Sequence, residues 1–176
     1  VKRLLPFLLL LAGCAAAPVA ITPSSTTTTT TTTTVTTTSP RIDTPRKLVA
    51  DPCGLLTAAD FDTPLNIPPQ PYPDIPRSCA FREGSGTDAD LIVVVVFADA
   101  YARPVKSTEM LIGDGHSAAT SCATGSGVVE CTTLAAVNAT ESYKVIAHLR
   151  NGNLDQVAGI SQSKARRAFE KLVVTS

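Results

Sequence analysis

The residues best placed to do chemistry are Asp114, His116 and Ser117, an acid, a base and a hydroxyl within Asp114-Gly115-His116-Ser117. Acyl transfer would need the hydroxyl and its base at hydrogen-bond distance. In an extended strand, His116 and Ser117 point to opposite faces, so adjacency in sequence separates them in space. Asp114, between two glycines, has the composition of a turn residue. No Gly-x-Ser-x-Gly elbow occurs, Gly125-Ser126-Gly127 lacks the length and the lysine of a phosphate loop, and His148 falls in a strand pattern. Hydrolysis through His116 is therefore the weakest functional reading, and no catalytic residue, metal ligand or cofactor is assigned.

Cys14 has a different chemistry. Lys2 and Arg3 precede an apolar run from Leu4 to Ala12, broken by Pro6. A membrane-spanning helix needs about 20 apolar residues, so this run has the length of a signal peptide's apolar region. Its last residues, Leu11-Ala12-Gly13-Cys14, resemble the bacterial lipobox. That resemblance implies a diacylglyceryl group on the Cys14 sulfur, cleavage between Gly13 and Cys14, and residues 1–13 as the leader. A plain secretory leader cut at Ala15 to Ala17 is the alternative. Each buried CH₂ contributes about 0.8 kcal/mol, so two or three acyl chains would hold the protein on its membrane.

With Cys14 assigned to lipid, Cys53, Cys79, Cys122 and Cys131 remain, an even number in an exported chain. Three pairings are open. Cys53–Cys79 and Cys122–Cys131 are favoured because each closes a local loop around a turn region, and each bridge should contribute about 2–4 kcal/mol. Zinc is disfavoured by the lack of a Cys-x-x-Cys and of ligand spacing between His116 and His148.

Residues 14–48 read as a lipidated cysteine and a linker. Its centre holds Thr26, Thr27, Thr28, Thr29, Thr30, Thr31, Thr32, Thr33, Thr34, Thr36, Thr37 and Thr38, interrupted by Val35 and flanked by Pro18, Pro23, Pro40 and Pro45. Such a tract has no apolar face to bury. The threonines are candidate O-glycosylation acceptors in a stalk, with an unmodified spacer as the alternative. Flexible, the 34 residues after Cys14 would span about 35 Å, and fully extended about 110 Å. In a chain with a bacterial lipobox, the sequon Asn138-Ala139-Thr140 is read as chance.

Residues 49–176 are long enough for one domain with a single core. They carry ten Lys and Arg against fourteen Asp and Glu, a net charge of −4. No basic patch argues for nucleic acid or anionic lipid. Lys164, Arg166, Arg167 and Lys171 read as a solvated helix face near a helix C-terminus.

Thr57 and Asp60 have capping-box spacing for a short helix, which Pro64 ends. Six prolines from Pro64 to Pro76 make an extended loop. Strands are expected over 79–82, 91–98, 116–122, 128–137 and 143–149, with 105–111 as a short helix or a connection. Leu91 to Ala98 is apolar throughout, which predicts burial on both faces and a central place in the sheet. Gly125-Ser126-Gly127 is a hairpin turn. Tyr143, Val145, Ala147 and Leu149 should share one face, with Lys144, Ile146 and His148 on the other. A helix is expected from Ser161 or Ser163, with Ala165, Ala168, Phe169, Leu172 and Val173 facing the core. The fold class is α+β: an antiparallel sheet of about five strands, a short N-terminal helix and a C-terminal amphipathic helix, stapled by two disulfides.

The lipobox, Asp51-Pro52-Cys53-x-Leu55-Leu56-Thr57, Ser78-Cys79-Ala80-Phe81, Gly113-Asp114-Gly115-His116-Ser117-Ala118 and the cysteine-bearing hairpin together resemble the domain-of-unknown-function lipoproteins of mycobacteria and related actinobacteria. Ala80-Phe81 stands where that pattern has Trp after the second cysteine. The resemblance implies a lipid-anchored protein on the extracytoplasmic face of the cell membrane, with two disulfides, and brings no activity. The expected function is a non-catalytic binding or assembly module meeting another envelope protein or a wall component. A carrier of lipid or a small apolar ligand is the alternative, and no nucleic-acid partner is expected.

Overall fold

The structure is a computed structural model that describes residues 39–84 and 90–175. The leader, Cys14 and the threonines Thr26 to Thr38 lie outside the described residues, so lipidation and glycosylation are not addressed by it.

In chain order the elements are β1 (Arg46–Lys47), β2 (Ser78–Glu83), β3 (Leu91–Ala98), β4 (Thr108–Ile112), β5 (His116–Gly125), β6 (Val128–Ala136), β7 (Ser142–Arg150), α1 (Leu154–Glu170) and β8 (Val173–Val174). Six strands form one antiparallel sheet in the order β2-β3-β7-β6-β5-β4, and β1 pairs with β8 in a small second sheet. The main sheet thus has six strands rather than five. The extra one is β4, in the stretch read as helix or connection. Glu, Met and Leu are helix formers in isolation, but Thr108 to Ile112 pairs along β5, and that ladder decides its conformation.

One face of the sheet packs on α1. Phe81, Val93, Val95, Ala118, Ala135, Tyr143 and Val145 lie in a single buried cluster with Ala165, Ala168 and Phe169 of the helix. Tyr143, Val145 and Ala147 share this face as the alternation predicts, and the Tyr143 hydroxyl donates to the Ala165 carbonyl (2.7 Å). A buried chain of hydroxyls registers the helix on the sheet: Thr120 meets Thr133 (3.0 Å), Thr133 meets Ser161 (2.5 Å), and Ser161 donates to the Val145 carbonyl (3.2 Å). Each buried oxygen therefore has a partner, as burial demands.

Strand β3 is an interior strand one place in from the edge, and Val93, Val94 and Val95 are all fully buried, so both faces are covered at its middle. Its connection to β4 has to cross β7, β6 and β5. Ser142 donates to the Asp99 carbonyl at the start (2.6 Å), and Arg103 pairs with Glu109 at the end (2.6 Å). Glu109 alternates with Met110 and Ile112, which face α1, so the crossing runs on the opposite face, where Ala119, Leu134 and Ala136 are buried. The proline-rich loop lies beside β2, with bridges Leu65 to Glu83 and Gln70 to Ala80 that occupy its edge.

The N-terminal helix is reduced to two 3₁₀ turns, Pro52–Gly54 and Ala58–Asp60. The helix α1 starts at Leu154, well before Ser161, because the Asn153 side chain caps it by accepting the Gln156 N–H (2.9 Å). Its apolar stripe is buried from Val157 through Ala165, Ala168 and Phe169 to Leu172 beyond its end, whereas Val173 is 61% exposed. The helix has ended by then, and β8 turns Val173 outward.

Both disulfides form, Cys53–Cys79 and Cys122–Cys131. The first ties the Pro52–Gly54 turn to β2. The second joins directly opposed residues of β5 and β6 above a two-residue turn in which Ser126 and Gly127 both have positive φ (50° and 74°).

Candidate functional site

Asp114, His116 and Ser117 do not converge. Each is occupied by a different group of the segment from Arg41 to Lys47, residues that the sequence assigns to the linker. The Ser117 hydroxyl accepts the Arg41 N–H (2.8 Å), and the Ser117 N–H donates to the Arg41 carbonyl (2.8 Å). Asp114 pairs with Arg46 (2.5 Å). His116 is fully buried, with Nδ1 at 3.0 Å from the Ala136 carbonyl and Nε2 at 2.9 Å from the Thr44 carbonyl. Strand alternation, as the sequence implies, sends His116 under α1 and Ser117 to the other face.

The 41–47 segment is held along its length. Arg46 N–H donates to the Val137 carbonyl (3.1 Å), Asn138 Nδ2 donates to the Arg46 carbonyl (2.9 Å), and Thr175 N–H donates to the Pro45 carbonyl (3.1 Å). The Arg46 guanidinium donates to the Leu172 carbonyl (3.2 Å) and lies 4.6 Å from the centre of the Phe169 ring, whose edge contact with His116 is 4.7 Å between centroids. Arg41 and Asp43 are joined by two hydrogen bonds (2.8 and 2.5 Å). That bond holds the Asp43 carboxyl below its usual range; desolvation opposes it, and lesser electrostatic attractions to Arg41 and His116 assist it. Asn138 also takes the Thr140 and Glu141 N–H groups on its Oδ1, so the sequon's side chain is spent inside a turn.

His148 pairs with Glu130 across β6 and β7 (3.3 Å) on the face away from α1. Cys122 and Cys131 form no metal site, since their sulfurs are bonded to each other. Among the described residues, no group of three His, Cys, Asp or Glu could hold a metal ion, and no helix is long and apolar enough to cross a membrane.

An open groove of about 610 Å³ runs between the Ala58–Asp60 turn and the outer side of α1, lined by Asp60, Asp62, Gln156, Ser163, Lys164 and Arg167. Lys164 is buried to 7% exposure, donates to the Asp60 carbonyl oxygen and lies 4.5 Å from the Phe61 ring centre. This wall is built by the capping box read from Thr57 and Asp60. The Asp60 carboxylate accepts the Thr57 N–H (2.7 Å) and its hydroxyl (2.9 Å). Desolvation pulls the Asp60 pKa up, but the two Thr57 hydrogen bonds and the charges of Lys171 and Arg167 outweigh it, and the net direction is down. A carboxyl whose folded pKa is depressed stabilises the fold above its unfolded value, and that contribution disappears as pH falls through the folded one. In Asp60→Asn, the urea midpoint should therefore lose part of its fall as pH drops below the ordinary carboxylate range relative to the parent chain. Identical pH profiles for the two proteins would contradict the assignment. Sequence reasoning placed Lys164 and Arg167 on a solvated face; Lys164 instead turns inward, which the aromatic Phe61 beside a helix terminus could have signalled.

In comparison with known proteins, no family model matches the chain, and no curated protein or solved structure matches it.

Proposed function

We propose that this chain is a cell-envelope lipoprotein, anchored through Cys14 on the extracytoplasmic face of a bacterial membrane, whose folded domain is a non-catalytic binding or assembly module. Its partner is another envelope protein or a wall component. The observation that supports docking most directly is the groove along α1, an open, polar channel whose lining includes the carboxylates of Asp60 and Asp62 and the guanidinium of Arg167, while Lys164 is turned inward at its wall. A surface of that kind suits a partner segment bearing both charges. The side chains that could have served hydrolysis are tied into the 41–47 segment. The carrier alternative draws no support from the groove, whose lining is charged and polar rather than apolar. The lipoprotein reading stands on the lipobox and on the resemblance to the actinobacterial lipoproteins.

Two measurements on the full chain test the reading separately. Labelled palmitate should enter the protein in a bacterial host, and Cys14→Ser should abolish the label; a Cys14→Ser chain that keeps it refutes the anchor. A photo-crosslinker placed at Ser163 should give a discrete adduct that Arg167→Glu weakens, whereas one at exposed Val105 should give none. Equal adducts at both positions, or adducts indifferent to Arg167, would refute the groove as the docking face.

A further inference from the structure

From the geometry of His116 we infer that the 41–47 segment is a proton-dependent clasp, closed while the ring carries both of its protons. Each ring nitrogen of His116 faces a backbone carbonyl oxygen, Ala136 at 3.0 Å and Thr44 at 2.9 Å. A carbonyl can only accept. A neutral imidazole has one N–H, so either tautomer would point a bare nitrogen lone pair at a carbonyl oxygen with no proton between them. The doubly protonated ring donates to both. The ring itself is fully buried, with Thr44 half-buried beside it, so neither ring nitrogen is open to water.

The two carbonyls belong to different parts of the molecule, which is what makes the proton a latch. Ala136 ends β6 inside the domain, whereas Thr44 belongs to the segment that leaves toward the N-terminus. The charged groups around the ring are compatible with a cation. From the segment come Asp43, paired with Arg41, and Arg46, which lies over the Phe169 ring and is paired with Asp114 of the adjoining turn. Helix α1 presents Phe169, which is uncharged, and the buried Tyr143 of β7 stays neutral because burial pushes its hydroxyl well above the usual range. Each aspartate near the ring is paired with an arginine, so neither leaves an unpaired charge beside it, and the closer electrostatic coupling is between Asp43 and His116.

A ring that must be doubly protonated in the closed state, and is mostly neutral in a freed chain above about pH 6.5, takes up a proton on closing. Closure is therefore strongest in mild acid and weakens as pH rises. Opening would add residues 39–47 to the linker, about 30 Å of extra reach at full extension. That consequence rests on the tethering reading; the state of the ring does not.

The test uses the full chain with ¹⁵N in the histidine rings. There are two histidines, and a His148→Gln variant assigns the signals. At pH 6, both His116 ring nitrogens should carry protons. As pH rises and the ring loses one, the exchange protection of the Ser117 and Arg46 amides, measured against Val94 and Val145 in the sheet, should fall by up to about ten-fold per pH unit. A bare ring nitrogen at pH 6 overturns the inference, as does segment protection that is unchanged once the ring is neutral. Both readouts use the native His116. Where His116→Gln folds, its segment protection should be low and independent of pH, and protection equal to the parent's would equally overturn the clasp.

Discussion

A chain with Cys53→Ser and Cys79→Ser should unfold at a far lower urea concentration than one with Cys122→Ser and Cys131→Ser. The two bridges close loops of different length, with sequence separations of 26 and 9. In the chain-entropy account this gives about 3.5 kcal/mol for the first and about 2.6 kcal/mol for the second. Local structure widens the gap. Val128 to Ala135 is already paired along β5 through a tight turn, so the hairpin keeps its register without the Cys122–Cys131 bond. Cys53 sits in a single 3₁₀ turn, and the chain continues from it into a second such turn and a loop rich in proline. The bridge is the covalent anchor of a layer that includes Leu55 and Leu56, both buried in the main core, and Phe61, which stacks on Phe81 at 5.5 Å and lies under Lys164. Losing the bond releases that layer. The measurement is the urea midpoint at constant slope for the two double variants. Equal losses would mean that the 52–61 layer holds itself in place.

The same contrast explains which elements could be read from the sequence. Strands whose residue pattern and neighbours agree were legible: the apolar run of β3, the alternation of β7, and the Gly125-Ser126-Gly127 turn with its flanking cysteines. Their conformation is fixed by local preference together with burial. Strand β4 was not legible, since in Thr-Glu-Met-Leu-Ile the strand preference of Thr and Ile is set against the helix preference of Glu, Met and Leu, and pairing along β5 decides its form. The start of α1 was obscured by Gly159, Ser161 and Ser163, which weaken a helical pattern, although Ser161 proves to be a buried member of the hydroxyl chain. Within the candidate site, the separation of His116 from Ser117 followed from strand geometry alone. The groups that fill the space around them did not. The bonds that tie Arg41, Thr44 and Arg46 to the domain span 68 to 126 residues of sequence, and a polar, proline-flanked stretch carries no mark of the surface it will lie on.

The contact between that segment and the core passes through Phe169, and Phe169→Ala should be the most damaging single substitution in the helix. The ring is 1% exposed in the main cluster, and truncating a buried phenylalanine costs about 3–5 kcal/mol. Here the loss reaches further than the cavity. One side of the ring carries the Arg46 guanidinium, and its edge contact fixes His116. The turn at Gly113 has positive φ (54°) and leaves no room for a Cβ, which would overlap the Phe169 ring. The backbone has come as close as a glycine allows. Without the ring, Arg46 loses its stacking surface and His116 one wall of its pocket, so the Ser117 and Arg46 amides should lose protection along with global stability. Phe61→Ala removes a comparable ring that does not touch the segment, and it should lower stability while leaving those two amides protected relative to the sheet. Comparing hydrogen exchange in the two variants at matched stability separates the roles. If both loosen the segment equally, Phe169 is only a core side chain. If Phe169→Ala alone does so, the helix, the Gly113 turn and the departing chain are coupled through a single aromatic ring.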